Sequence, residues 1–271
     1  MTRKTVFILS HVYSGSTWLS LLLGSHSKAL YLGELNKFYS KKFPMPCSLC
    51  NELQQECPYF YDVKQIFYRD IHNHLFERTG KAVLIDNSKR VKWSRKLLHD
   101  DRYAHKYLHI IKDPRAIYYS LQSRNRRPDI DHWAQRNLEI WQFVSQFELD
   151  YYLLTYNELA ESIDETLTDI CSWLSLTFEP AQKEYWNFEH HGPGDNSATK
   201  SFLKRSRSSD NQFYAQQRQR NFIDLRWKEK LSPRIIHSIE ENENVQKLLA
   251  TLGLELTENS LYHRKPVDLN V

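Results

Sequence analysis

The sequence predicts one α/β domain: a central parallel sheet with helices on both faces. Two observations carry this reading. Four short apolar runs alternate with segments of helical spacing, the pattern of strands joined by crossover helices. The polar residues that stand out follow those runs directly, at the carboxyl ends of the expected strands, where open α/β sheets bind ligands. The 271 residues suffice for one well-packed unit, taken as a single domain over 1–271.

Thr5 to Ser10 (TVFILS) reads as a buried strand and His11 to Gly15 as a turn. A helix opens at Ser16 or Thr17 and turns Trp18, Leu19, Leu21, Leu22 and Leu23 inward. Lys81 to Asp86 is the second strand and Tyr107 to Lys112 the third. Asp113-Pro114 starts a helix reaching about Arg124, since proline suits the first helical position. Trp133, Leu138, Trp141 and Phe147 have helical spacing within Asp131 to Phe147. Tyr151 to Tyr156 is the fourth strand, followed by a helix around Ile163 to Leu174. Ser232-Pro233 is a helix start and Gly253 a stop. A cysteine-containing insert occupies about 40–62. The polar, basic stretch 196–221 reads equally well as a lid or as a solvated loop.

Apolar residues make up 41% and charged residues 26%, ordinary for a globular protein. The net charge of +4 suits an anionic ligand and is too small to argue for nucleic acid. No apolar run approaches the about 18 residues of a membrane helix. The first apolar run ends at Ser10, too short for a secretory signal. The expectation is a cytoplasmic protein without membrane attachment. Oligomeric state is not legible.

Strand, then Ser14-Gly15-Ser16-Thr17, then an apolar helix makes an anion cradle. N–H groups at a helix start have no intrahelical partner, and the helix dipole favours negative charge there. The hydroxyls of Ser14, Ser16 and Thr17 add donors; the bland reading is that they cap the helix. The turn is P-loop-like, but it lacks the GxxxxGK[ST] of nucleotide kinases: no lysine follows Gly15 and no glycine stands five residues before it.

Here the chain resembles the sulfotransferases that use 3'-phosphoadenylyl sulfate (PAPS). Tyr13-Ser14-Gly15-Ser16-Thr17 is similar to their first motif, [KR]SG[ST]T, and Lys112 with Ser120 eight positions on has the spacing of their second. The resemblance covers about residues 5 to 230. It implies that Tyr13, Ser14, Gly15, Ser16, Thr17 and Trp18 surround the donor's phosphates and that Lys112, Ser120 and Arg124 hold its 3'-phosphate. Tyr156, in LTYNEL, resembles a nucleotide-contacting tyrosine. Lys89, in Asp86-Asn87-Ser88-Lys89, looks like the lysine that touches the transferring group. Glu34 stands 21 residues past Tyr13, where tyrosylprotein-type enzymes place a catalytic glutamate. His190-His191 followed by Gly194 and Asn196 resembles a glycine-asparagine loop of bacterial members. Tyr13 departs from the family, which has lysine or arginine there; Lys89, Arg115 or His11 is expected to compensate, unless Tyr13 lines the acceptor pocket.

The implied reaction transfers a sulfuryl group from PAPS to a hydroxyl or amine of a small molecule, leaving adenosine 3',5'-bisphosphate (PAP), and natural-product tailoring is one setting for it. In-line transfer depends on positioning and charge stabilisation and requires no metal. Glu34, Lys89 and His11 are the catalytic candidates, with Glu34 as base. Cys47, Cys50 and Cys57 are one ligand short of a structural zinc site, the fourth falling to His72 or His74; a disulfide and free thiols are the other readings, and no metal is assigned. The alternative function is a non-catalytic nucleotide- or nucleic-acid-binding protein, on the strength of the basic tract Lys204 to Arg220.

Overall fold

A computed structural model describes residues 2–40, 45–194 and 223–263. The expected lid and the basic tract lie outside the described residues, as does Asn196. The chain begins with β1 (Lys4–Leu9), α1 (Ser16–Gly24) and β2 (Ala29–Tyr31). Then come α2 (Ser48–Glu52), α3 (Ile71–Thr79), β3 (Val83–Lys89) and α4 (Val91–Arg95). They are followed by β4 (Ala104–Ile111), α5 (Pro114–Gln122), α6 (Ile130–Gln146), β5 (Tyr151–Thr155), α7 (Tyr156–Glu161) and α8 (Ile163–Trp173).

The five strands form one parallel sheet in the order β2-β3-β1-β4-β5. β1 is central and wholly buried. Its side chains alternate between faces as strand geometry requires. Val6 and Ile8 pack with Leu19, Leu22 and Leu108 on one side, while Phe7 and Leu9 pack with Phe76, Tyr107 and Phe143 on the other. A sheet covered on both faces explains why the strands read as unbroken apolar runs. The chain leaves β1 for β2 on one side, returns through β3, and crosses to β4 on the other. That change of direction opens a crevice at the carboxyl ends of β1 and β4.

Three differences from the sequence reading have local causes. β2 is an edge strand of three residues, too short to show a period of two. The helical run after Ser232-Pro233 is two helices, Pro233–Glu240 and Glu243–Leu252, because the Asn242 carboxamide oxygen accepts from the Val245 N–H at 3.0 Å and caps the second. A two-stranded hairpin, Leu254–Leu256 with Leu261–His263, follows Gly253.

Candidate active site

Each strand of the sheet delivers a sequence-predicted residue at its carboxyl end. Past β1, the backbone turns through positive φ at Tyr13 (64°) and Gly15 (88°). Gly15 tolerates no side chain, because a Cβ there would lie 2.5 Å from the Tyr156 ring. As the N-cap of α1 it has no side chain with which to cap the helix. Ser10 and Ser14 are buried, and their hydroxyls have no hydrogen-bond partner among the described residues. Such groups are costly unless something binds them. Together with the N–H groups at the start of α1 they are donors suited to an anion.

Tyr156 directly follows β5. A capping box between Thr155 and Glu158 fixes the start of α7 at that residue. Its buried ring meets Gly15, tilts against Trp18 at 5.9 Å, and carries the Lys112 ammonium 4.2 Å from its centroid. Lys112 directly follows β4, is almost fully buried, and donates to Asp224 Oδ2 at 2.8 Å. Burial pulls the Lys112 pKa down, and the Asp224 carboxylate opposes that pull. Burial pushes the Asp224 carboxyl up, but Lys112 and Arg226 outweigh it and hold the group below the usual carboxylate range. Nothing local in the sequence marks Asp224 as the partner of Lys112.

Asp113 accepts the Arg115 N–H and caps α5, which buries Ser120 on its inner side. Arg124, one turn on, donates to the Ser120 carbonyl at 2.9 Å. Its guanidinium lies 4.8 Å from the Tyr13 ring centroid, with that of Arg126 at 5.7 Å. Two cations therefore face the tyrosine that stands where a basic residue was expected. Arg115 is not one of them. It is buried and bound to Asp113 and Glu240, each at 2.7 Å, to the Thr257 carbonyl, and across the Trp227 ring at 4.0 Å. That is a structural clamp on the C-terminal segment.

At the ends of β2 and β3 the structure joins Glu34 and Lys89, 55 residues apart, at 3.0 Å. Lys37 holds the other carboxylate oxygen at 3.0 Å. Burial raises the Glu34 pKa, but Lys89 and Lys37 outweigh it and keep the group ionised below its ordinary 4.5. Gly33 has φ 64°, and the Glu34 N–H donates to the Pro193 carbonyl at 2.9 Å. Lys89 itself has φ 63°, a strained value for a non-glycine residue. The turn before it is fixed by buried Asp86, which accepts from His72 Nε2 at 3.0 Å, Trp93 Nε1 at 2.8 Å and the Ser88 N–H at 2.9 Å. Arg136 on α6 donates to the Lys89 carbonyl. No local feature of the sequence marks Asp86 or Arg136 for this positioning task.

His11 is buried against the edge of the His132 ring. Burial first, then His132, Arg136 and Arg90, pull its pKa down to about 4. It is neutral at pH 7, and Nδ1–H donates to the Val12 carbonyl at 3.0 Å, leaving Nε2 a lone pair.

The two histidines expected beside the cysteines are engaged elsewhere: His72 with Asp86, and His74 at 3.5 Å from Asp62. His191 approaches the three sulfurs instead, and the four cysteines form no disulfide.

Solved structures share this architecture. The sulfotransferase domain from the curacin biosynthetic pathway superposes with a TM-score of 0.61 at 18% identity, covering 94% of this chain and 99% of that one. The sulfotransferase domain of the Synechococcus PCC 7002 olefin synthase gives 0.58 at 19%, covering 94% and 96%. The chain has a sulfotransferase fold. No family model and no curated protein sequence matches it. Among the described residues of this sulfotransferase fold, no helix is long and apolar enough to cross a membrane.

The Lys112–Asp224 pair has a measurable consequence. Asp224→Asn leaves a buried ammonium without its counter-charge, which costs roughly 3 kcal/mol or more. The denaturant midpoint should fall at pH 7. Because the carboxyl pKa is depressed in the folded state, its contribution is present above about pH 4 and disappears as pH falls. The stabilities of the variant and the parent should therefore converge in acid. Equal midpoints at pH 7 would show that the pair carries no stability.

Proposed function

We propose that the chain is a cytoplasmic PAPS-dependent sulfotransferase that modifies a hydroxyl or amine of a small molecule and releases PAP. The observation that carries this reading is the junction of Glu34 with Lys89 at the same sheet edge as the Ser14-Gly15-Ser16-Thr17 loop. A base, a cation and an anion cradle are the parts an in-line sulfuryl transfer needs. The likeness to a domain from a biosynthetic pathway supports a tailoring role.

In this scheme the donor's phosphates lie against the start of α1, taking the Ser14 hydroxyl and the N–H groups there. The 3'-phosphate is held by Lys112, Ser120 and Arg124, so Asp224 gives up part of its hold on Lys112 when donor binds. The base ring stacks near Trp18 and Tyr156. The acceptor atom attacks sulfur from the side opposite the bridging oxygen. Its bond to sulfur forms as the sulfur–oxygen bond to PAP breaks, and its proton passes to Glu34. A carboxylate offers about four acceptor positions, and the acceptor's proton would go to one of those of Glu34. Lys89 donates to the bridging oxygen as charge develops there, the point at which a preorganised cation is most effective. Arg124 and Arg126, stacked on Tyr13, supply the positive field that the missing basic side chain would give.

Calorimetry should show PAP binding more tightly than AMP. Each charge-assisted contact to the 3'-phosphate is worth about 1.5–3 kcal/mol, so even one changes Kd by about 10-fold or more. Equal affinities would sink the donor assignment, and binding without turnover on any acceptor would favour the non-catalytic reading.

Glu34→Gln keeps the shape and removes the basicity. Donor affinity should persist while turnover falls roughly 100-fold or more. With Glu34 ionised below pH 4.5, the parent's turnover should hold level on the acid side down to about pH 5. Near-normal turnover by the variant would pass the role to His11.

Lys89→Ala should lower turnover at saturating donor while PAP still binds, since the lysine acts on charge that appears during transfer. A variant that binds PAP poorly yet turns over normally once saturated would make Lys89 a binding residue only.

A further inference from the structure

The cysteine insert and the loop after Phe188 meet in a second cluster of chemistry-bearing side chains. Cys47, Cys50, Cys57 and His191 are all buried, and their sulfur and nitrogen atoms lie within 4.8 Å of one another. His191 stands 134 residues beyond Cys57 in the chain. Its Nδ1 is 3.2 Å from the Cys50 sulfur, 3.5 Å from that of Cys57 and 3.8 Å from that of Cys47.

We propose that these four residues form a structural zinc site. Zinc binds thiolate at about 2.3 Å and imidazole at about 2.0–2.1 Å. A tetrahedron with those bonds has nitrogen–sulfur edges of about 3.5 Å. The three observed nitrogen–sulfur distances bracket that edge, as a shared ion requires. Three soft thiolates and one imidazole in a closed set of four are the donors of a structural site, with no position left for substrate.

The surroundings suit the ion as well. The His191 ring packs edge-on to Tyr59 at 4.9 Å, and its other nitrogen, Nε2, faces Glu189 at 3.6 Å, the side from which a carboxylate orients a metal-bound imidazole. A cavity of about 460 Å³ lined in part by the three cysteines provides the entry path.

The ion would join two segments that have no sheet between them. The Ser48 N–H donates to the Gly192 carbonyl at 2.9 Å, and Pro193 holds the Glu34 N–H. Gly192 lies so close to Leu32 that a Cβ would meet the Leu32 carbonyl oxygen at 2.5 Å. The metal therefore fastens the insert to the loop that backs the end of β2.

The test reads metal and not turnover, so it stands apart from the sulfuryl-transfer reading. The full chain, purified reduced and without chelators, should carry about one zinc per molecule by elemental analysis. Replacement with cobalt should give a thiolate charge-transfer band and the intense visible bands of a tetrahedral site. Cys50→Ser and His191→Ala should each lose the ion. Cys171→Ser, whose buried thiol lies 3.6 Å from Gln182, should keep it. Should either cluster variant fail to fold, titrating the parent's thiols with a mercurial in the presence of a zinc-sensing dye should release the ion as three thiols react. Parent protein that is zinc-free and takes none from a zinc-buffered solution would overturn the proposal. So would a disulfide within the cluster, or full zinc content in Cys50→Ser.

Discussion

The contact between the Gly15 backbone and the Tyr156 ring is the constraint on which one side of the candidate site depends. It welds the turn after β1 to the turn after β5, and it leaves no room for even a methyl group. The left-handed backbone at Gly15 turns the chain directly into α1, presenting the helix start to the crevice. The same ring carries Lys112 from the intervening strand β4. Three strand ends are thus referred to one aromatic surface. A parallel sheet makes this possible because it points every strand the same way and gathers their outgoing turns along one edge.

Charge is arranged on that edge in groups of opposite sign. Lys112 is too deeply buried to remain charged cheaply on its own, and Asp224 supplies the counter-charge. Glu34 is held between Lys89 and Lys37. In both cases burial works against ionisation and the opposite charge overcomes it. Such pairs favour a unique geometry more surely than they add stability, since desolvation offsets much of the Coulomb gain. Asp86 does the related job at the end of β3: N–H groups of His72, Trp93 and Ser88 converge on one carboxylate and set the turn that leads to Lys89.

Much was legible in the chain itself. Sheets buried on both faces produce apolar runs, so four of the five strands stood out, and their order of appearance with the helices between them determined the fold class. Motif residues that follow strands directly, such as Lys112 and Tyr156, could be placed because strand ends lie at the ligand edge. Gly15 could be singled out because it stands in Ser14-Gly15-Ser16-Thr17, in the turn between a strand and a helix. Tertiary structure alone decided the pairings. β2 has only three residues and no readable period, yet it carries the chain to Glu34. Arg115 looked available beside Lys112 but is consumed by Asp113, Glu240 and Trp227. Asp224 meets Lys112 across 112 residues, and His191 reaches Cys57 across 134. Local sequence sets propensities and the spacing along one element; which distant side chains share a buried volume depends on how the elements pack, and no short window of sequence contains that.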